Sequence, residues 1–240
     1  DSAGLRTGSL GQITDGLHPN EGGVAGQVGQ WNLIDLYHFN RVRTGSGGHG
    51  LVDGLGACVL GVADPDVDGA VRAAIDIGSM STLNCPEEVA LAELLCGLHP
   101  WAQMVRYARS GGEAMAIAVR IARAATGRDT IAFCGYHGWH DWYISANLAE
   151  EDVLDGHLIP GLDPAGVPRG LMGTALPFRY NHIDELEAIV AEHTGGLAAI
   201  VMEPIRDSEP ESGFLESIRE MATKAGAVLV FDEVSAGFRL

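Results

Sequence analysis

The sequence predicts an α/β fold, a mostly parallel sheet with helices on both faces, joined to a partial N-terminal lobe. Three observations predict it. From residue 104 onward, short apolar runs alternate with amphipathic stretches of helix length. The runs at 130–134, 198–202 and 227–231 are almost wholly apolar, as strands covered on both faces are. Gly127 and Gly226 close two of the amphipathic stretches, where a left-handed residue ends a helix.

Residues 1–30 hold eight glycines and little apolar periodicity, so they read as a loop or arm. Glycines recur from Gly45 to Gly61, without the G-x-G-x-x-G spacing or the Gly-Lys-Ser/Thr ending of a P-loop. From Asp66, apolar residues at Val67, Ala70, Val71, Ala74 and Ile75 predict a helix. A second helix opens at Pro86, a favoured first position. Then follow a strand at 104–108, a helix at 113–126 and a strand at 130–134. A loop at 147–170 comes next, then a short strand at 174–178, a helix at 184–193 and a strand at 198–202. The last two elements are a helix at 214–225 and a strand at 227–231. These divide the chain into an arm (1–40), a lobe segment (41–85) and the first part of a larger domain (86–240).

Fifteen basic residues against 32 acidic ones give a formal charge of −17. That argues against nucleic acid or an anionic membrane surface as a partner. The cysteines form no C-x-x-C, and no apolar stretch approaches the ~20 residues of a membrane helix. Reduced thiols in a cytoplasmic protein are the expectation. Lys224 is the single lysine among the 15 basic residues.

Three constellations carry chemistry. The first is Arg109-Ser110-Gly111-Gly112-Glu113, between a strand and a helix. Glycines there let a ligand approach the backbone, and the helix start offers free N–H groups to a phosphate. A plain serine cap with a tight turn accounts for the same residues. The second runs from Gly135-Tyr136-His137-Gly138 to Tyr143, directly after a strand. Tyr136 or a neighbour can stack on a flat heterocycle. A structural aromatic cluster is one alternative; His137, His140 and Asp141 as metal ligands are another, weakened because no third strong ligand set stands nearby in sequence. The third is Asp232-Glu233-Val234 at the carboxyl end of the last strand, where open α/β sheets bind ligands. A buried carboxylate needs a partner, and a protonated pyridine nitrogen is one. Phosphate cradle, aromatic face and acid together suggest pyridoxal 5′-phosphate.

The chain resembles the class III aminotransferases of fold type I, the group that contains glutamate-1-semialdehyde aminomutase. The resemblance rests on residues 109–114, Gly135-Tyr136-His137-Gly138, Met202-Glu203-Pro204, Gly213-Phe214-Leu215-Glu216 and residues 231–239, with a weaker pattern at 53–61. It implies amino transfer between small-molecule donors and acceptors, as an aminotransferase or aminomutase, by a homodimer. It implies that Ser110, Gly111 and Gly112 hold the cofactor phosphate, with Gly112 lacking the hydroxyl often found there. Tyr136 would stack on the ring with His137 beside it. Asp232 would pair with the ring nitrogen, and Val234 would cover the opposite face. Asp232 and Tyr136 are the expected catalytic residues. Glu203 receives no role. The resemblance also implies that the Schiff-base lysine and the last strands lie beyond Leu240, so the chain reads as an N-terminal part of a longer protein. Lys224 falls off the apolar stripe of its helix and reads as solvated surface. Two other readings stay open: a non-catalytic module that binds the cofactor or a phosphate, and an unrelated α/β enzyme on phosphorylated metabolites with His137 as base.

Overall fold

The computed structural model describes residues 60, 63–78, 82–150, 152–157, 160–205 and 208–238. The predicted arm, the glycine stretch up to Gly61 and, apart from Leu60, the pattern at 53–61 lie outside them.

Two helices lead in, α1 (Pro65–Ile77) and α2 (Pro86–Leu98). Asp64 caps α1 by accepting from the N–H groups of Asp66 and Val67 (both 3.1 Å). Among their described residues only Leu95 is buried, so the apolar positions Val71, Ile75, Leu94 and Leu98 stand exposed.

The sheet follows. Helix α3 (Gly111–Thr126) precedes β1 (Thr130–Cys134), and a one-turn helix, α4 (Asp141–Ile144), comes after it. Then come β2 (Ala175–Pro177), α5 (Ile183–Glu192), β3 (Leu197–Met202), α6 (Phe214–Ala225) and β4 (Val228–Phe231). The order across the sheet is β2-β1-β3-β4 and every pairing is parallel. Short 3-10 turns at Ser145–Leu148 and Arg169–Leu171 break up the predicted loop.

Alternation along the strands sends side chains to two cores. Ile131, Phe133, Val201, Val228 and Val230 pack with Met115, Val119 and Ala122 of α3 and with Trp142 and Tyr143. Ala132, Ile200, Met202 and Leu229 pack on the opposite face with Leu186 of α5 and with Phe214 and Ile218 of α6. Phe133 and Ile200 are wholly enclosed, each contributing about 1.5–3 kcal/mol.

The run at 104–108, expected as a strand, pairs with no strand among the described residues. A strand is held by its neighbour's N–H and C=O groups, which an apolar pattern cannot supply by itself. Among the described residues, β4 has β3 on one side and no strand on the other.

Arg128 ties the two layers together. One guanidinium nitrogen donates to the carbonyls of Leu197 (2.9 Å), Ala225 (2.8 Å) and Gly226 (3.0 Å). It thereby joins the exit of α3 to the C-terminus of α6, where a cation is favoured. Arg128→Ala is expected to lower stability by about 2 kcal/mol, read by chemical denaturation. A loss within error would show that water serves those carbonyls equally well.

Candidate active site

Three turns meet at the carboxyl end of the sheet. The first is the start of α3. Ser110 Oγ accepts from the Glu113 N–H (3.3 Å), while Glu113 Oε2 accepts from the Arg109 N–H (2.8 Å). This reciprocal cap leaves the N–H groups of Gly111 and Gly112 without an acceptor inside the helix.

The second turn, Gly135 to Gly138, follows β1 and lies directly on the first. A Cβ on Gly138 would stand 2.5 Å from Gly112 Cα, and Gly138 has φ +91°. No side chain fits between these two backbones. A Cβ on Gly112 would stand 3.0 Å from His140 Nδ1 and 3.1 Å from its Cε1. Tyr143 Oη donates to the Gly135 carbonyl (3.1 Å), and the Gly135 N–H donates to His157 Nδ1 (3.3 Å).

The third turn follows β4. Asp232 is 6% exposed and both its oxygens are engaged. Oδ1 accepts from the Val234 N–H (3.1 Å), and Oδ2 lies 2.8 Å from His137 Nδ1. His137 Nε2 lies 2.9 Å from the Cys134 carbonyl. A carbonyl only accepts, so Nε2 carries a proton, and one further proton sits in the contact between Nδ1 and the carboxylate. His137 is 1% exposed, edge-on to Phe133 and stacked with Trp142 at 22°. The ring is therefore a fixed support for Asp232, with neither nitrogen turned to a substrate.

The structure thus joins the segments of Gly112, His137 and Asp232 into one continuous rim. Tyr136 is half-buried beside His137 and meets Tyr143 edge-on, with ring centroids 5.6 Å apart. Burial pushes its phenol above the ordinary range, so it presents a neutral ring. Glu203, 6% exposed, sits at the end of β3 with Oε2 3.0 Å from where a Gly135 Cβ would be. Sequence reasoning left Glu203 without a role, weighed His140 only as a metal ligand, and gave none to Tyr143 or His157. Position at a strand end was the available signal for Glu203. The others declare themselves only through contacts distant in sequence or across a turn.

Lys224 lies on the exposed face of α6, 2.7 Å from Glu220. Lys224→Ala is expected to leave cofactor affinity and melting temperature unchanged. Loss of either would make Lys224 part of a site.

Two cavities border this region. The larger, about 640 Å³, lies on the flank of α3 between Arg120, Arg123, His140 and Trp142. The smaller, about 360 Å³, adjoins the Asp232 rim and is lined by Pro204, Glu209, Glu233 and Phe238. The smaller one is better placed for chemistry, because it opens at the carboxyl ends of β3 and β4.

Residues 44–239 match the family described as aminotransferase class-III. The chain belongs to that family. Among curated relatives of this class-III chain, glutamate-1-semialdehyde 2,1-aminomutase of Citrifermentans bemidjiense is 37% identical over 195 residues, 79% of this chain and 44% of the relative. An omega-transaminase from Sphaerobacter thermophilus superposes with a TM-score of 0.64 at 33% identity, over 76% of this chain and 43% of that one. A transaminase solved with pyridoxal phosphate bound gives a TM-score of 0.62 at 29% identity, over 71% and 40%. The class-III chain therefore spans less than half the length of the relatives it matches.

Proposed function

We propose that the complete protein moves an amino group between small molecules with pyridoxal 5′-phosphate as cofactor, as an aminotransferase or an aminomutase. One observation carries the reading: Asp232 is held at the strand end by His137 and the Val234 N–H, on the same rim as the close approach of Gly138 to Gly112 at the start of α3. The residues fit the cofactor. Gly112 and Gly138 approach too closely to admit a side chain, and the N–H groups of Gly111 and Gly112 are free for a phosphate. When bound, the cofactor supplies an electron sink for charge that develops next to the amino group.

In this proposal Ser110, Gly111 and Gly112 hold the phosphate, Tyr136 covers one ring face and Val234 the other. Asp232 holds a proton on the ring nitrogen through a charge-assisted hydrogen bond worth about 1.5–3 kcal/mol. His137 keeps the carboxylate aimed. A homodimer is part of the same proposal, supported by the exposed apolar faces of α1 and α2.

The test uses the full-length protein with the cofactor. A panel of amines and amino acids paired with keto acids reads transfer, and glutamate 1-semialdehyde reads isomerisation. Turnover in either arm supports the proposal. Tight binding of the cofactor with no turnover in any arm would instead favour a non-catalytic binding module. Absence of both binding and turnover overturns the two readings together.

A further inference from the structure

Gly112 leaves a gap that another residue fills. The ring edge of His140 occupies the space where a side chain at 112 would project, with Nδ1 and Cε1 at 3.0 and 3.1 Å from the missing Cβ. Nδ1 is buried and makes no hydrogen bond. A buried polar atom in that state needs a partner, and none of the protein groups around it provides one. The ring lies against Gly112 at the first turn of α3, where helix N–H groups lack acceptors within the helix. The other polar side chains at this turn are committed. Ser110 Oγ accepts from Glu113 N–H, and Glu113 Oε2 accepts from Arg109 N–H.

We propose that His140 belongs to the anion cradle, with Nδ1 donating to a bound phosphate the hydrogen bond that a hydroxyl side chain at 112 would otherwise give. The inference rests on the cofactor reading above and extends it to a residue outside the Gly111-Gly112 turn. Donation requires the proton on Nδ1, and an acceptor placed there selects that tautomer. Glycine at 112 then has two reasons: the approach of Gly138 from one side and the histidine ring from the other. The loss of a hydroxyl noted in the sequence is compensated from the next turn of the chain.

The experiment compares pyridoxal 5′-phosphate with pyridoxal on the full-length protein, by equilibrium dialysis. The ratio of the two affinities isolates the phosphate's contribution. His140→Phe keeps a ring but removes the donor, and is expected to weaken pyridoxal 5′-phosphate about 10- to 100-fold with pyridoxal unchanged. His140→Asn, whose amide nitrogen can stand near the Nδ1 position, should recover most of that loss. Gly112→Thr alone should bind poorly, since its Cβ meets the ring, whereas Gly112→Thr with His140→Ala should regain affinity. An unchanged ratio in His140→Phe overturns the proposal and leaves the cofactor reading standing. A wild-type protein that does not prefer the phosphorylated form overturns the cradle itself. Equal loss for both compounds, with a lowered melting temperature, assigns His140 a packing role only and also overturns it.

Discussion

Asp232→Ala is expected to remove activity and stability together, whereas Asp232→Asn should remove activity alone. Alanine strands the His137 ring. Its Nδ1 would sit in a ring 1% exposed with no partner, and leaving a buried polar atom unsatisfied costs about 1–3 kcal/mol. Asparagine behaves differently. Nε2 must still donate to the Cys134 carbonyl, so Nδ1 becomes a lone pair able to accept from the new amide. The amide oxygen can keep the Val234 N–H. The fold should therefore survive with a loss near 1 kcal/mol. In the proposed function the negative charge facing the ring nitrogen is then gone, and turnover should fall by about 10²–10³. Glu187→Gln, on the exposed face of α5, serves as the control. Denaturation curves and initial rates on the three proteins decide the matter. If Asp232→Asn works within tenfold of the wild type, the acid is not what holds the ring protonated.

Gly138→Ala should be the most damaging glycine replacement in the site. A Cβ there would stand 2.5 Å from Gly112 Cα, and both atoms belong to backbone that no rotamer change can move. Overpacking costs about 1–3 kcal/mol. The positive φ adds roughly 1–2 kcal/mol for any residue with a side chain. Gly127→Ala supplies the comparison, because φ there is +66° and nothing lies within 4 Å of the added carbon. That variant isolates the backbone strain and should lose only about 1–2 kcal/mol. Affinity for pyridoxal 5′-phosphate should collapse in Gly138→Ala and stay intact in Gly127→Ala. Equal behaviour of the two would mean that the close approach of the turns does not shape the cradle.

Much of this architecture was readable from local pattern. The helix at 214–225 was placed with the bounds observed, Phe214–Ala225, because its stripe is strong and Gly226 stops it. The parallel sheet followed from apolar runs separated by helices, and the strands differ from expectation by a residue or so. The run at 104–108 failed as a strand because pairing belongs to two segments, and pattern describes one. The site divides in the same way. Glycine pairs and an acid at a strand end are visible in sequence. The support under that acid is not, since His137 and Asp232 are 95 residues apart. His140 stands three residues past His137, but only the packing of two turns shows what its ring displaces. Arg128 looks like a loop cation until three carbonyls close around it.

The His137 ring has a consequence for how the molecule is assembled. It laces the tip of β1 to the tip of β4, two strands separated by β3. A lace across non-adjacent strands can be tied only when all three have come into register. Long-range closures of this kind form late, since the entropy of a large loop must be met first. Asp232 therefore acquires its final aim at the end of folding, after β1 and β3 have already paired.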